Sequence, residues 1–168
     1  MGFTLATFNV LDRFDAAGLA RDLVEPGDAD ESRLREAAAA GERLYRAKVR
    51  ATAAAVRRLD ADVIAFQEVH NAAVLDDVRA LLPASGGYLP AIAAPCDRRG
   101  IACGVLSRFH VARVEHHTDP NLGFPCFFEG DPAPFAGRLG TRRGVLEVVL
   151  TLPDATALHV LVVHFKSK

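Results

Sequence analysis

Three apolar segments of this chain each end on polar side chains. That repeated design constrains the fold more than any other feature of the sequence. The segments are Thr7-Phe8-Asn9-Val10-Leu11, Asp62-Val63-Ile64-Ala65-Phe66-Gln67-Glu68-Val69 and Leu158-His159-Val160-Leu161-Val162-Val163-His164-Phe165-Lys166-Ser167-Lys168. Short runs rich in Val, Ile, Leu and Phe read as strands. Three such ends gathered at one edge of a sheet would make a polar, metal-binding floor. Helical sequence separates the first two strands, so the expected class is α/β.

The rest of the chain organises around those strands. Residues 3–11 read as a buried strand and 12–30, with Pro26-Gly27, as a loop. Residues 31–59 are helical in composition, with a break expected near Gly41. Tyr45, Val49, Thr52, Val56 and Leu59 recur at helical spacing and make an apolar stripe suited to packing on a sheet. Arg46, Arg50 and Arg57 lie opposite and read as a solvated face. Val63–Phe66 is apolar on both faces, as in a strand covered on both sides. Asn71 is placed to cap a helix whose stripe is Val74, Leu75, Val78, Leu81 and Leu82, ended by Pro83 and Gly86-Gly87. Further strands are expected at 88–94, 101–107, 111–116, 144–152 and 157–165, with Pro153-Asp154 as a hairpin turn. The proline- and glycine-rich stretch 118–142 reads as a long loop.

Composition excludes several classes. At 168 residues, half of them hydrophobic, one domain with a real core is expected. The formal net charge of −1 supplies no global field for nucleic acid, so phosphate binding must be local. Cys96, Cys103 and Cys126 are odd in number and lack CxxC spacing, which favours free thiols over a zinc site or a disulfide framework. The N-terminus shows no signal peptide, and no apolar run approaches membrane-spanning length. A cytoplasmic protein is therefore expected, although a removed leader would leave the same sequence. No glycine-rich nucleotide loop follows any strand.

Taken singly, the polar residues have ordinary explanations. Asn9 reads as a core asparagine bonded to backbone, Glu68 as a loop carboxylate and His164 as a buried structural histidine. Taken together they support a site. A carboxylate at a strand's carboxyl end suits magnesium, which takes one or two carboxylates plus water and phosphate. Lys166 shares a strand face with His164 and adds a second polar group near that end.

Asn9, Gln67-Glu68 and His164, in that order after strands of like character, resemble the endonuclease/exonuclease/phosphatase superfamily of metal-dependent phosphoesterases. Arg99-Gly100-Ile101, Leu106-Ser107-Arg108-Phe109, Arg143-Gly144-Val145-Leu146-Glu147-Val148 and His164-Phe165-Lys166-Ser167-Lys168 extend the resemblance over nearly the whole chain. It implies that Asn9 and Glu68 help hold Mg²⁺ or Mn²⁺, that His164 binds the scissile phosphate and stabilises the transition state, and that Arg143 contacts phosphate. Asp97, Arg98 and Arg99 fall in a turn that usually lies near substrate. His70 stands where relatives often carry Arg or Glu, which leaves substrate preference open.

The superfamily's later Gly-Asp-x-Asn and Asp-His motifs do not follow His164. The resemblance therefore implies a single incomplete domain over residues 1–168. It would be a partial four-layer αββα sandwich with mixed, mostly antiparallel sheets and the C-terminal half of the fold missing. Residues 1–116 would build most of one sheet, and 144–165 would begin the second. The expected function is phosphodiester hydrolysis, with nucleic acid favoured over lipid or inositol phosphate. The chain alone is expected to be inactive. The alternative is a non-catalytic remnant or interaction half that needs a complementing C-terminal chain.

Overall fold

A computed structural model describes residues 2–11, 15–27, 30–118 and 144–165. Strand β1 (Leu5–Asn9) is followed by helices α1 (Ala16–Arg21) and α2 (Glu31–Leu59), β2 (Val63–Val69) and α3 (Ala72–Ala80). Then come β3 (Ile92–Ala93), β4 (Ala102–Ser107), β5 (His110–His117), β6 (Val145–Thr151) and β7 (Ala157–Val163). The protein is an α/β fold with two sheets. The first runs β1-β2-β4-β3 and the second β5-β6-β7. Among the described residues, only the β1–β2 pairing is parallel. A parallel pair needs a crossover, and α1 and α2 supply it.

The core has two parts. Val49, Val56, Val74, Leu75 and Val78 of α2 and α3 pack on Ile64, Phe66 and Leu106, so the helices cover one face of the first sheet. On its other face Val63, Ala65, Cys103 and Val105 meet Leu146, Val148, Leu150, Val160 and Val162 of the second sheet. Covered on both sides, β2 is fully apolar from Val63 to Phe66, as its sequence requires.

Several sequence expectations are corrected. Helix α2 does not break at Gly41. It runs unbroken for 29 residues, with Asp30 accepting from the backbone of Ser32 and Arg33 at its start. Glycine stands at 41 because α1 crosses there. A Cβ would lie 2.6 Å from Ala16 O and 2.8 Å from the Ala20 Cβ. Helix α1 itself falls in the stretch expected to be loop, capped by Asp15. Strand β5 belongs to the second sheet, pairing with β6. The turn at Ser107–Phe109 carries the chain across, and Ser107 Oγ accepts from Phe109 N at 2.9 Å. Strand periodicity does not reveal which sheet a strand joins, so residues 1–116 were too broad a span for one sheet. The expected strand 88–94 shrinks to Ile92–Ala93. Strand β1 is an edge, with Leu5, Thr7 and Asn9 exposed rather than buried. The 118–142 loop lies almost wholly outside the described residues, as does Cys126. Cys96 is an exposed thiol and Cys103 is buried in the core.

Asn71 caps α3 by accepting from Val74 N at 3.1 Å. Tyr45 of α2 donates its hydroxyl to Asp77 of α3. Burial, reinforced by that carboxylate, raises the Tyr45 pKa well above its usual value of 10.0 and keeps the phenol protonated.

Candidate functional site

Strand β2 cannot deliver both Gln67 and Glu68 to one face by simple alternation. Ile64 and Phe66 face the helices, and so does Val69. One extra residue must therefore sit between Phe66 and Val69. The register shows it: Gln67 opposes Cys103 and Val69 opposes Ala102, leaving Glu68 as the bulged residue. Its φ is +66°, in the left-handed region that costs a β-carbon residue energy. The bulge turns Glu68 away from the helices and toward the second sheet.

Two partners meet it there. Asn9 Nδ2, at the end of β1, donates to Glu68 Oε1 at 3.1 Å. His164 Nε2, just past β7, stands 3.2 Å from the same oxygen. Val160 and Val162 face the first sheet, so alternation along β7 turns His164 the same way. Both the Glu68 and the His164 side chains keep only 15% of their surface exposed. The pair is thus shielded yet still open at the sheet edge.

The surrounding bonds hold this corner rigid. Thr7 of β1 and Gln67 of β2, which sits opposite Asn9 in the register, exchange side-chain hydrogen bonds of 3.2 and 3.0 Å. Asn9 Oδ1 accepts from Leu11 N at 2.8 Å, and Lys48 of α2 donates to Leu11 O. Neither Thr7 nor Lys48 was singled out from the sequence. Lys48 is a cation brought to the site by α2, and only the tertiary fold places it there.

The other expected residues fall into two groups. His70 Nδ1 lies 3.1 Å from Gly100 O and 3.6 Å from an Asp15 carboxylate oxygen. Asp97 Oδ1 accepts from the backbone of Arg99 at 2.8 Å and of Ile101 at 3.0 Å. Asp97 therefore builds the turn that puts Gly100 against His70. Arg99 is exposed on that turn. Arg143 lies outside the described residues.

The donor set can be tested against a metal. Glu68 offers hard carboxylate oxygen. Asn9 Oδ1 keeps a second lone pair beside its bond to Leu11, and an amide oxygen can ligate through it. Hard oxygens of this kind fit Mg²⁺ or Mn²⁺, with water and phosphate completing the shell. The His164 imidazole suits phosphate better than magnesium.

The family model described as the Endonuclease/Exonuclease/phosphatase family matches residues 6–162. This chain belongs to that family. The match takes in helices α1, α2 and α3 and strands of both sheets. Among curated proteins none matches the chain. The family acts on phosphodiester or phosphate-ester substrates and generally depends on a divalent metal. Among the described residues no helix is long and apolar enough to cross a membrane.

Proposed function

We propose that the chain contributes the metal- and phosphate-binding corner of a phosphodiester hydrolase, with nucleic acid as the favoured substrate. The observation that carries this reading is the meeting of Asn9, Glu68 and His164 at a left-handed bulge. Glu68 and Asn9 would hold Mg²⁺ or Mn²⁺. When bound, such an ion polarises a phosphate oxygen and neutralises charge developing on the leaving group.

The chain's own residues supply the rest. His164 donates a hydrogen bond to a non-bridging phosphate oxygen and stabilises charge there. Asn9 orients the Glu68 carboxylate. Thr7 and Gln67 hold the two strand ends in register. Arg143 and Arg99 are proposed as phosphate contacts, and His70 and Asp97 as the substrate-side turn.

Among the described residues Glu68 is the one carboxylate at this corner, so the base for the attacking water has to come from outside them. The reading is therefore of a single incomplete domain within a four-layer αββα sandwich, slow by itself and completed by a further segment bearing acidic groups. A position in the cytoplasm remains part of the same proposal. The test is hydrolysis of plasmid DNA and of bis-p-nitrophenyl phosphate with Mg²⁺ or Mn²⁺. The chain alone should stay near background, because losing a general base costs about 10²–10⁴ in rate. Adding a separate C-terminal segment should restore turnover that Glu68→Gln abolishes. Fast hydrolysis unaffected by Glu68→Gln would overturn the reading.

A further inference from the structure

The second sheet carries an independent polar cluster on the face turned away from the first. Leu146, Val148, Val160 and Val162 point into the core, so the alternate residues of β6 and β7 point outward. There Glu115 of β5 stands directly opposite Glu147 of β6 in the register. Two carboxylates opposed across a ladder repel and destabilise the pair unless a cation intervenes. His117 and His159 approach the same point from either side. His117 Nε2 lies 2.7 Å from Glu147 Oε2, and His159 Nδ1 lies 2.7 Å from Glu147 Oε1. His117 Nδ1 is 3.6 Å from Glu115.

We propose that Glu115, His117 and Glu147 form a divalent transition-metal site, braced by His159 and separate from the Glu68 corner. One ligand atom from each of the three lies within 4.8 Å of the others. Four-coordinate zinc, with bonds of about 2.1 Å, needs separations of about 3.4 Å. Glu115 and His117 are 48% and 41% exposed and can rotate to close that gap. Glu147 is the fixed member, with 11% of its side chain exposed. Imidazole with carboxylate suits Zn²⁺ ahead of the all-oxygen preference of magnesium. Exposure on the sheet surface leaves the remaining coordination to water.

Arg113 is the competitor. Its guanidinium reaches Glu147 at 2.8 Å and also pairs with Glu115. It neutralises the opposed carboxylates with one positive charge, whereas a divalent ion would supply two. Removing Arg113 should therefore tighten metal binding, an effect that a plain ion-pair network would not show.

The experiment is Zn²⁺ titration of the full chain by calorimetry, with Co²⁺ as a spectroscopic probe of nitrogen and oxygen ligation. Glu147→Gln and His117→Gln should each weaken Zn²⁺ binding at least ~10-fold, since even indirect partners of a metal ligand cost that much. Glu68→Gln should leave this binding intact, which separates the site from the proposed catalytic corner. His117→Gln should also change the Co²⁺ absorption. Arg113→Met, on an exposed side chain, should raise the affinity. The proposal fails if Zn²⁺ affinity and the Co²⁺ spectrum are unchanged in His117→Gln and Glu147→Gln. It fails equally if Arg113→Met lowers stability and leaves the affinity unmoved.

Discussion

Glu68 carries a local backbone cost in the candidate site. A left-handed backbone costs an ordinary L residue about 1–2 kcal/mol, and glycine escapes it. The bulge persists because Val69 packs into the helix-side core and Gln67 is tied to Thr7, so the residue between has nowhere else to go. Strain at such a position is a common signature of function. It also permits a clean measurement. Glu68→Ala and Glu68→Gly both lose the bonds to Asn9 and His164, but only alanine keeps the strain. The glycine variant should be more stable than the alanine variant by about 1 kcal/mol in urea unfolding. Equal stability would show that the bulge relaxes and that Glu68 is not held there by its neighbours.

At the scale of elements, helix α2 decides how the N-terminal third is built. Its length lets one end pack on the sheet through Val49 and Val56 while the other receives α1 at Gly41. An exposed helical glycine replaced by alanine normally gains close to 1 kcal/mol. Here the new methyl would strike Ala16 O and Ala20. Gly41→Ala should therefore destabilise the protein by about 1–3 kcal/mol, the range for overpacking, despite its better propensity. Thermal unfolding of the variant reads the sign directly, and a raised midpoint would mean that α1 does not dock on α2 in this way. The same crossing positions Asp15 beside His70, so a displaced α1 would also loosen that turn.

Across the whole molecule, β2 links two poles. Glu68 lies at one end and Asp62, just before the strand, at the other, about 20 Å apart at roughly 3.3 Å per residue. Asp62 accepts from Thr4 N at 2.8 Å and Thr4 Oγ1 at 2.9 Å, tying β1 to β2. Arg108, from the β4–β5 turn, reaches Asp62, the Asp60 cap of α2 and Gly86 O, and stacks 4.9 Å over Tyr88. The Thr4 bonds, backbone first, and then Arg108 hold the Asp62 carboxyl below its ordinary value of 3.8. Because the folded pKa is depressed, the unfolded chain binds the proton first. This group's stabilisation is present above pH 3.8 and is lost as pH falls below it toward the folded value. Asp62→Asn should lower stability at neutral pH and flatten the acid limb of a stability-against-pH curve. An unchanged acid limb would show that other carboxylates govern acid unfolding.

The sequence alone determined the class of fold, the positions of the long helix and the main strands, and the Asn71 cap. These follow from local periodicity and capping chemistry, which each segment carries within itself. It also marked Asn9, Glu68 and His164, because a polar residue ending an apolar strand breaks a local pattern. Sheet membership of β5, the crossing at Gly41 and the edge position of β1 were decided by tertiary structure. They depend on which surfaces meet, and no window of sequence contains both surfaces. The same holds for Lys48 at Leu11 and for the Glu115–His117–Glu147 group, whose members lie up to 32 residues apart. Most of all, the sequence placed Glu68 at a strand's end but could not turn it. That required a one-residue bulge, set by the competing demands of Val69 in one core and Gln67 at the other face.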